Sequence, residues 1–319
     1  MFAARGIAVS LSVFVIVYSV LSLALVCGWR RASVCAQRFS VRRAADVLFA
    51  LRMFPFFTAA LMTAALTVPS FLLLEPRATD EPVGAVSLAL GACGLILGLV
   101  GIMNAAIVMR KASRVVTEWT RGARPAESAS AVPVLTISSA SPAMTATGIL
   151  RPRILLSSAA EMQLSGGELQ AALNHELAHV RRADNLKKLL MRLVAFPGMS
   201  GLETAWLETT EMAADDAAVA TTCDALDLAA ALIKLSRMVP AAATTDLTAA
   251  VVQGPASAVY ARVERLLAWS KNHNPAAEKH SGSYRLTLSL AAFSATAMFA
   301  LTYSQLLVRI HTATEWLVR

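Results

Sequence analysis

The sequence predicts an α-helical membrane protein with four membrane-crossing helices and one soluble α+β domain between the third and the fourth. Of the 319 residues, 56% are hydrophobic and 16% are charged, against roughly 45–50% and 25% in soluble globular domains. Four uncharged stretches are long enough to cross a bilayer, which takes about 20 helical residues. One remaining segment, residues 111–285, is long enough to form a soluble core.

The uncharged stretches predict the membrane helices in chain order. They run over Gly6–Gly28, Met53–Leu74, Pro82–Met109 and Leu286–Val308. The third contains Gly94-x-x-x-Gly98, and small residues at that spacing let membrane helices approach closely. The predicted domains are a three-helix membrane region over 1–110, a soluble domain over 111–285, and a fourth membrane helix with a short tail over 286–319.

The charges of the loops predict the orientation in the membrane. The loop after the first span is basic and has no acid, with Arg30, Arg31, Arg38, Arg42 and Arg43. Cytoplasmic loops carry an excess of Lys and Arg. The second loop is acidic, and the segment after the third span begins with Arg110 and Lys111. We therefore expect a multi-pass membrane protein with both termini outside and the soluble domain in the cytoplasm.

The net charge of +8 is thus assigned to topology rather than to nucleic-acid binding, because aromatic residues are few and no recognition module occurs. The four cysteines form no Cys-x-x-Cys pair, which excludes a disulfide framework and a cysteine-based zinc ribbon. No Gly-x-Ser-x-Gly run occurs, so a serine hydrolase of that type is excluded.

The soluble domain begins with strands and continues with helices. Strands are predicted at Val132–Ile137 and Ile154–Leu156, where β-branched residues lie between turn residues. Ser165 and Glu168 have the spacing of a capping box at a helix start, and Pro197-Gly198 ends the following helix pair. Further helices are predicted at about 202–221, 227–238 and 257–269, with a polar linker over 271–283.

The most informative stretch is His175-Glu176-Leu177-Ala178-His179. On a helix, residues four apart project from one face, so both imidazoles can reach one metal ion. Glu176 lies where it can take a proton from a metal-bound water. Two solvated histidines on a helix surface are the alternative, which the apolar neighbours of the pair disfavour.

A catalytic zinc site needs a third protein ligand. Glu211 and Asp215 are again four apart, so Glu211 could bind the metal while Asp215 accepts a hydrogen bond from a ligating histidine. An acidic, solvated helix face is the alternative for this pair. Three other acids compete with Glu211 as the third ligand, namely Glu203, Glu208 and Asp216. The other three histidines, His273, His280 and His311, are less plausible ligands.

Four features together resemble the M56 peptidase family, which includes membrane regulators of β-lactamase and methicillin resistance. They are three N-terminal spans, the run Gly148–Leu156 with its Leu-Arg-Pro-x-Ile-Leu-Leu element, the run His175–His179 with Arg182 and Asp184 after it, and Glu211-x-x-x-Asp215. The resemblance implies a mainly helical, zincin-like metallopeptidase domain that binds Zn²⁺ through His175, His179 and Glu211. It implies Glu176 as the catalytic acid/base and Asp215 as a support for a ligand.

The family's usual role is to cleave a cytoplasmic transcriptional repressor, which implies a protein substrate and a function in signalling or gene induction. Those regulators carry an extracellular penicillin-binding sensor domain after the fourth span, whereas eleven residues follow it here. We therefore expect the signal to enter through the spans, the outer loops or a partner sensor protein.

Two other functions fit part of the pattern. A quality-control membrane protease of the M48 type shares His-Glu-x-x-His and Glu-x-x-x-Asp, but the Leu-Arg-Pro-x-Ile-Leu-Leu element favours M56. A non-catalytic receptor or scaffold with a vestigial metal site is the third hypothesis. The intact Glu176 disfavours it, because a purely structural metal site needs no base.

Overall fold

The structure is a computed structural model that describes residues 2–36, 38–76, 83–126, 131–138, 142–238, 249–250, 256–272 and 302–316. The chain divides into two compact units. One contains residues 1–28, 53–100 and 274–319, and the other contains residues 29–52 and 101–273. We call them the membrane unit and the peptidase unit.

Three helices are long and apolar enough to cross a membrane, which confirms the first three predicted spans. They are α1 (Phe2–Ala36), a second helix over Val41–Leu74, and α4 (Ala85–Trp119). The second consists of α2 (Val41–Met62), a π-helical turn (Thr63–Thr67) and α3 (Val68–Leu74). Each helix extends beyond its uncharged stretch, since arginines at the ends do not interrupt the backbone hydrogen bonds.

The π-helical turn lies directly before Pro69. Proline has no N–H and crowds the carbonyl four residues earlier, which is that of Ala65. A wider turn relieves this clash, and the hydroxyl of Tyr303 donates a hydrogen bond to the Ala65 carbonyl at 2.7 Å. The irregular turn therefore follows from one proline, and a side chain from the C-terminal part of the membrane unit satisfies the exposed acceptor.

Small residues bring α4 close to α1. A Cβ on Gly94 would lie 3.0 Å from Val15 Cγ2, so only glycine permits this approach without adjustment. Gly98 has nothing within 4 Å of such a position. The glycine contact therefore involves Gly94 of the predicted Gly94-x-x-x-Gly98 pair, together with Gly91, which lies one turn earlier against Ala8.

The predicted fourth span, Leu286–Val308, lies mostly outside the described residues. The structure describes residues 302–316 as a helix. The predicted linker over 271–283 also lies almost entirely outside them.

The peptidase unit has a five-stranded sheet in the order β1-β2-β4-β3-β5. The strands are β1 (Arg124–Pro125), β2 (Val134–Ile137), β3 (Met144–Thr147), β4 (Arg153–Ser157) and β5 (Ala249–Ala250). β2 and β4 are parallel, and the other neighbours are antiparallel. The structure confirms β2 and β4 as strands. It adds β1, β3 and β5, which the sequence did not predict.

Six helices complete this unit in the described part of the chain. They are α5 (Ser158–Gln163), α6 (Gly166–Arg181), α7 (Asp184–Leu193), α8 (Ser200–Ala218), α9 (Thr222–Met238) and α10 (Ala256–Asn272). α6 packs against α8, α9 and β3, and α10 packs against α9. The core between the sheet and these helices contains Ile154, Leu156, Ala172, Leu228 and Leu232, all nearly inaccessible to solvent.

Local signals position α6 and the turn beside it. The predicted capping box is present: Ser165 Oγ accepts from the Glu168 N–H, and the Glu168 carboxylate accepts from the Ser165 N–H. Between β3 and β4, Gly148 has φ +86°, and a Cβ there would lie 2.6 Å from the Arg151 carbonyl oxygen. This turn therefore requires glycine.

Candidate metal centre

The two histidines of the His175–His179 run lie on one buried face of α6. His175 is fully buried and His179 is 3% exposed. Their Nε2 atoms are 3.2 Å apart, so both nitrogens converge on one point. The alternative of two solvated surface histidines is therefore wrong, because neither imidazole is in contact with bulk solvent.

Glu211 on α8 completes the group. Its Oε2 lies 3.6 Å from His175 Nε2, and its Oε1 lies 3.5 Å from His179 Nε2. The three residues are buried, and one ligand atom from each lies within 4.8 Å of the others. Two imidazole nitrogens and a carboxylate oxygen form a donor set typical of a catalytic zinc site with an open fourth position.

The other nitrogen of each imidazole faces a buried carboxylate. His175 Nδ1 lies 2.9 Å from Asp215 Oδ1, and His179 Nδ1 lies 2.8 Å from Asp184 Oδ2. Both aspartates are fully buried. A carboxylate at Nδ1 fixes the tautomer and the ring orientation so that Nε2 is available to a metal. Asp215 thus lies where the sequence predicted, and Asp184 has the matching place on the second histidine.

Glu176 points from α6 towards β3. Its Oε2 accepts a hydrogen bond from the Ala146 N–H at 2.5 Å. Its Oε1 is buried and has no hydrogen-bond partner among the described residues. Burial raises the pKa of this carboxyl group above its ordinary value, although the two nearby histidines oppose the shift. One oxygen of Glu176 is therefore held by the sheet while the other remains available to exchange a proton.

Arg262 of α10 contacts Glu211 and Asp215 of α8. Its Nε and one terminal nitrogen donate to the two oxygens of Asp215 at 2.8 and 2.6 Å, and its other terminal nitrogen donates to Glu211 Oε2 at 3.0 Å. The residue is 5% exposed. Sequence reasoning missed it. The available signal was a single arginine on the apolar face of a predicted helix, beside Val259, Val263 and Leu266.

The charges of the cluster shift the pKa values of its members. Burial lowers the pKa of His175, but the Asp215 and Glu211 carboxylates outweigh it and raise the pKa to about 9. Burial raises the pKa of Glu211, whereas His179, His175 and Arg262 together lower it to about 2. Asp215 is also held well below its ordinary pKa, against the effect of burial, chiefly by Arg262. Glu211 and Asp215 are therefore ionised at neutral pH.

The competing acids are directed elsewhere. Glu203 pairs with Arg52 at 3.0 Å, and Asp216 pairs with Arg265 at 2.6 Å. Glu208 lines a separate cavity of about 690 Å³ beside Trp29. His311 lies in the membrane unit, 3.8 Å from Glu75, and His273 and His280 lie outside the described residues. In the described part of the chain, Glu211 is the acid that lies close enough to both histidines to share a metal ion with them.

The sequence of the chain matches the family model of the BlaR1 peptidase M56 over residues 75–266, more than half of its length. The chain belongs to the M56 peptidase family. The matched region contains the complete cluster, from His175 to Arg262. M56 members are membrane-associated metallopeptidases, and the chain has a buried His175–His179–Glu211 group that could hold a metal ion. No curated protein matches the chain.

Proposed function

We propose that this M56 peptidase is a zinc-dependent endopeptidase that cleaves a protein substrate at the cytoplasmic face of a bacterial inner membrane. The observation that carries the proposal is the convergence of His175, His179 and Glu211 beside a buried glutamate with one unpartnered oxygen. A metal site that served structure alone would not need that carboxylate.

The donor set supports zinc as the metal. Zn²⁺ is commonly bound by two histidines and one glutamate in hydrolytic sites, with the fourth position left open. The unpartnered Glu176 Oε1 supports the same assignment, because it needs a polar partner in this buried place. A bound zinc ion supplies an activated water of lowered pKa and polarises the carbonyl of the scissile peptide.

The residues of this chain perform the proton transfers. Glu176 Oε1 takes the proton of the attacking water, and the same carboxyl group then delivers it to the leaving amine. The Ala146 N–H keeps Glu176 Oε2 in place during both transfers. Because burial raises the pKa of Glu176, its conjugate acid is a usable proton source nearer neutral pH. Asp215 and Asp184 hold the histidine rings throughout.

Substitution of Glu176 tests this function. Glu176→Gln keeps the size of the side chain and removes the base, so zinc should stay bound while turnover falls by about 10²–10⁴-fold or more. His175→Ala should lose both zinc and activity. Glu161→Gln, an exposed acid on α5, is the matched control and should change neither.

The assay is metal content of the purified protein in detergent, combined with proteomics of cells that express each variant at equal levels. Fragments of cytoplasmic proteins should appear with the wild type and with Glu161→Gln, and should be absent with Glu176→Gln. Equal fragments from wild type and Glu176→Gln would refute the assignment. A wild-type protein without zinc would favour the receptor or scaffold function.

We further propose that the substrate is a regulator, such as a transcriptional repressor, and that cleavage induces genes on a signal received through the spans or a partner sensor protein. Membership of the M56 family supports this choice over M48-type quality control. The fragments distinguish the two: one or few regulators indicate signalling, and many unfolded membrane proteins indicate quality control.

The proposed orientation has both termini outside and the peptidase domain inside. It rests on the basic loop after the first span and the acidic loop after the second. In a variant without the four native cysteines, a membrane-impermeant thiol reagent should label Thr79→Cys in intact cells and should not label Ser281→Cys. Labelling of Ser281→Cys alone would reverse the orientation.

A further inference from the structure

Arg262 is a cation inside the metal site that neither the predicted ligand set nor the proposed proton transfers use. It lies on the face of α10 that also carries Val259, Val263 and Leu266, all buried. Burial of a guanidinium group is costly unless it is paired and hydrogen-bonded. An arginine in this place among core residues therefore indicates a specific role for its charge and its shape.

Arg262 contacts two acids and one histidine of the site. Two parallel N–H groups donate to both oxygens of Asp215, a bidentate arrangement that fixes the carboxylate in its plane. A third N–H group donates to Glu211 Oε2. The terminal nitrogen of Arg262 that donates to Asp215 Oδ1 also lies 3.5 Å from His175 Nε2. One side chain of α10 thus contacts Glu211 of α8, the Asp215 carboxylate that supports His175, and His175 itself.

The buried charges show why this arrangement matters before a metal binds. Glu211 and Asp215 are two carboxylic acids one helical turn apart on α8, and Arg262 contacts both of them. Two like charges on the same face repel each other, and this repulsion is strong where solvent does not screen it. A cation between them removes the repulsion and lets Glu211 keep its rotamer towards the two Nε2 atoms.

We propose that Arg262 is a positioning residue that holds Glu211 and Asp215 in their ligand-supporting geometry, so that the site binds zinc tightly. The proposal rests on the proposed zinc site. It assigns Arg262 no contact with the reacting atoms; the residue acts through Glu211 and Asp215. Its shape is part of the role, because lysine is a point charge that cannot donate bidentately to Asp215 and also reach Glu211.

A competing role for Arg262 predicts the opposite change in zinc affinity. Because the Arg262 guanidinium lies beside His175 Nε2, it could compete with the metal for the site instead of preparing it. Removal of a competitor would raise zinc affinity, whereas removal of a positioning group lowers it. The direction of the change therefore separates the two roles.

The experiment is a zinc titration against a chelator of known affinity, with the full chain in detergent. Arg262→Met should weaken zinc binding by about 10–100-fold, as for other groups that orient metal ligands. Arg262→Lys should lie between Arg262→Met and wild type. The matched control is Arg265→Met, which removes the Arg265–Asp216 ion pair between the same two helices at a more exposed place. Its zinc affinity should stay within about fivefold of wild type, since exposed pairs contribute little.

A double-variant cycle shows whether Arg262 acts through Asp215. In an Asp215→Asn background, Arg262→Met should weaken zinc binding by less than it does in wild type, because part of its role is already lost. This pair of changes also removes opposite charges together, so it keeps the test usable if Arg262→Met alone folds poorly. Equal effects in both backgrounds would show that the two residues act independently and would overturn the proposal.

The outcomes of the two proposals are distinguishable. A wild-type protein that binds no zinc overturns the zinc site and this inference together. A wild type that binds zinc tightly, with Arg262→Met equal to it or tighter, overturns the positioning role alone. Thermal unfolding of the metal-free variants confirms that each affinity refers to folded protein.

Discussion

Substitution of Asp184 should weaken metal binding although the residue is not a ligand. Asp184 is fully buried at the start of α7, and its Oδ2 lies 2.8 Å from His179 Nδ1. The effect should be graded. Asp184→Asn keeps an acceptor and loses the charge, whereas Asp184→Ala loses both. We expect zinc affinity to fall by about 10-fold for Asn and towards about 100-fold for Ala, which is about 1.4–2.7 kcal/mol of binding free energy.

Asp46 provides a matched control for this prediction. It shares the cations of Asp184, because Arg182 and Lys187 lie within 4.0 Å of both acids. Its side chain is 56% exposed, and the structure places it on α2. Asp46→Ala should therefore leave zinc affinity unchanged in the same chelator titration. If Asp46→Ala and Asp184→Ala weaken zinc equally, the cause is the loss of the shared ion pairs, and the reasoning about His179 is wrong.

The remaining predictions concern the third ligand and the helix that carries the histidines. Glu211→Ala should abolish tight zinc binding, whereas Asp215→Ala should cost about 10–100-fold; full zinc occupancy in Glu211→Ala would move the ligand to another acid. Ser165→Ala should lower the free energy of unfolding of the peptidase unit by about 1 kcal/mol, because α6 loses its N-cap. Ser236→Ala, which removes an exposed hydroxyl within α9, should not lower it, and equal losses would contradict the capping argument.

The proposed ligands could be selected from the sequence because their spacing is a local property of helices. His175 and His179, like Glu211 and Asp215, are one turn apart and therefore share a face. The same geometry excludes one competing acid as a ligand. Asp216 lies five residues after Glu211, which places it about 140° further round the helix, and there it meets Arg265. Helical periodicity thus predicts which residues of one helix share a face, but it does not predict which two helices pack together.

Other parts of the site could not be predicted, for physical reasons that differ. β3 is only four residues long and all four are buried, although its Met-Thr-Ala-Thr sequence alternates apolar and polar side chains. So short an alternation is a weak strand signal, and Met and Ala give no strong strand preference. The Arg262–Asp215 contact joins residues 47 positions apart in the chain. No local pattern encodes such a contact; only the packing of α10 against α9 and α8 brings the two residues together.

Groups from three elements hold side chains of α6, and each holds a different atom. β3 holds Glu176 Oε2, α7 holds His179 Nδ1 through Asp184, and α8 holds His175 Nδ1 through Asp215. α10 then fixes the α8 acids through Arg262. Because these supports of α6 act on atoms that face away from the metal position, the atoms that face it, His175 Nε2, His179 Nε2 and Glu176 Oε1, are oriented before any metal or substrate arrives. Movement of α7 or α10 would therefore change the geometry of the site through Asp184 or Arg262, although neither helix carries one of the three proposed ligands.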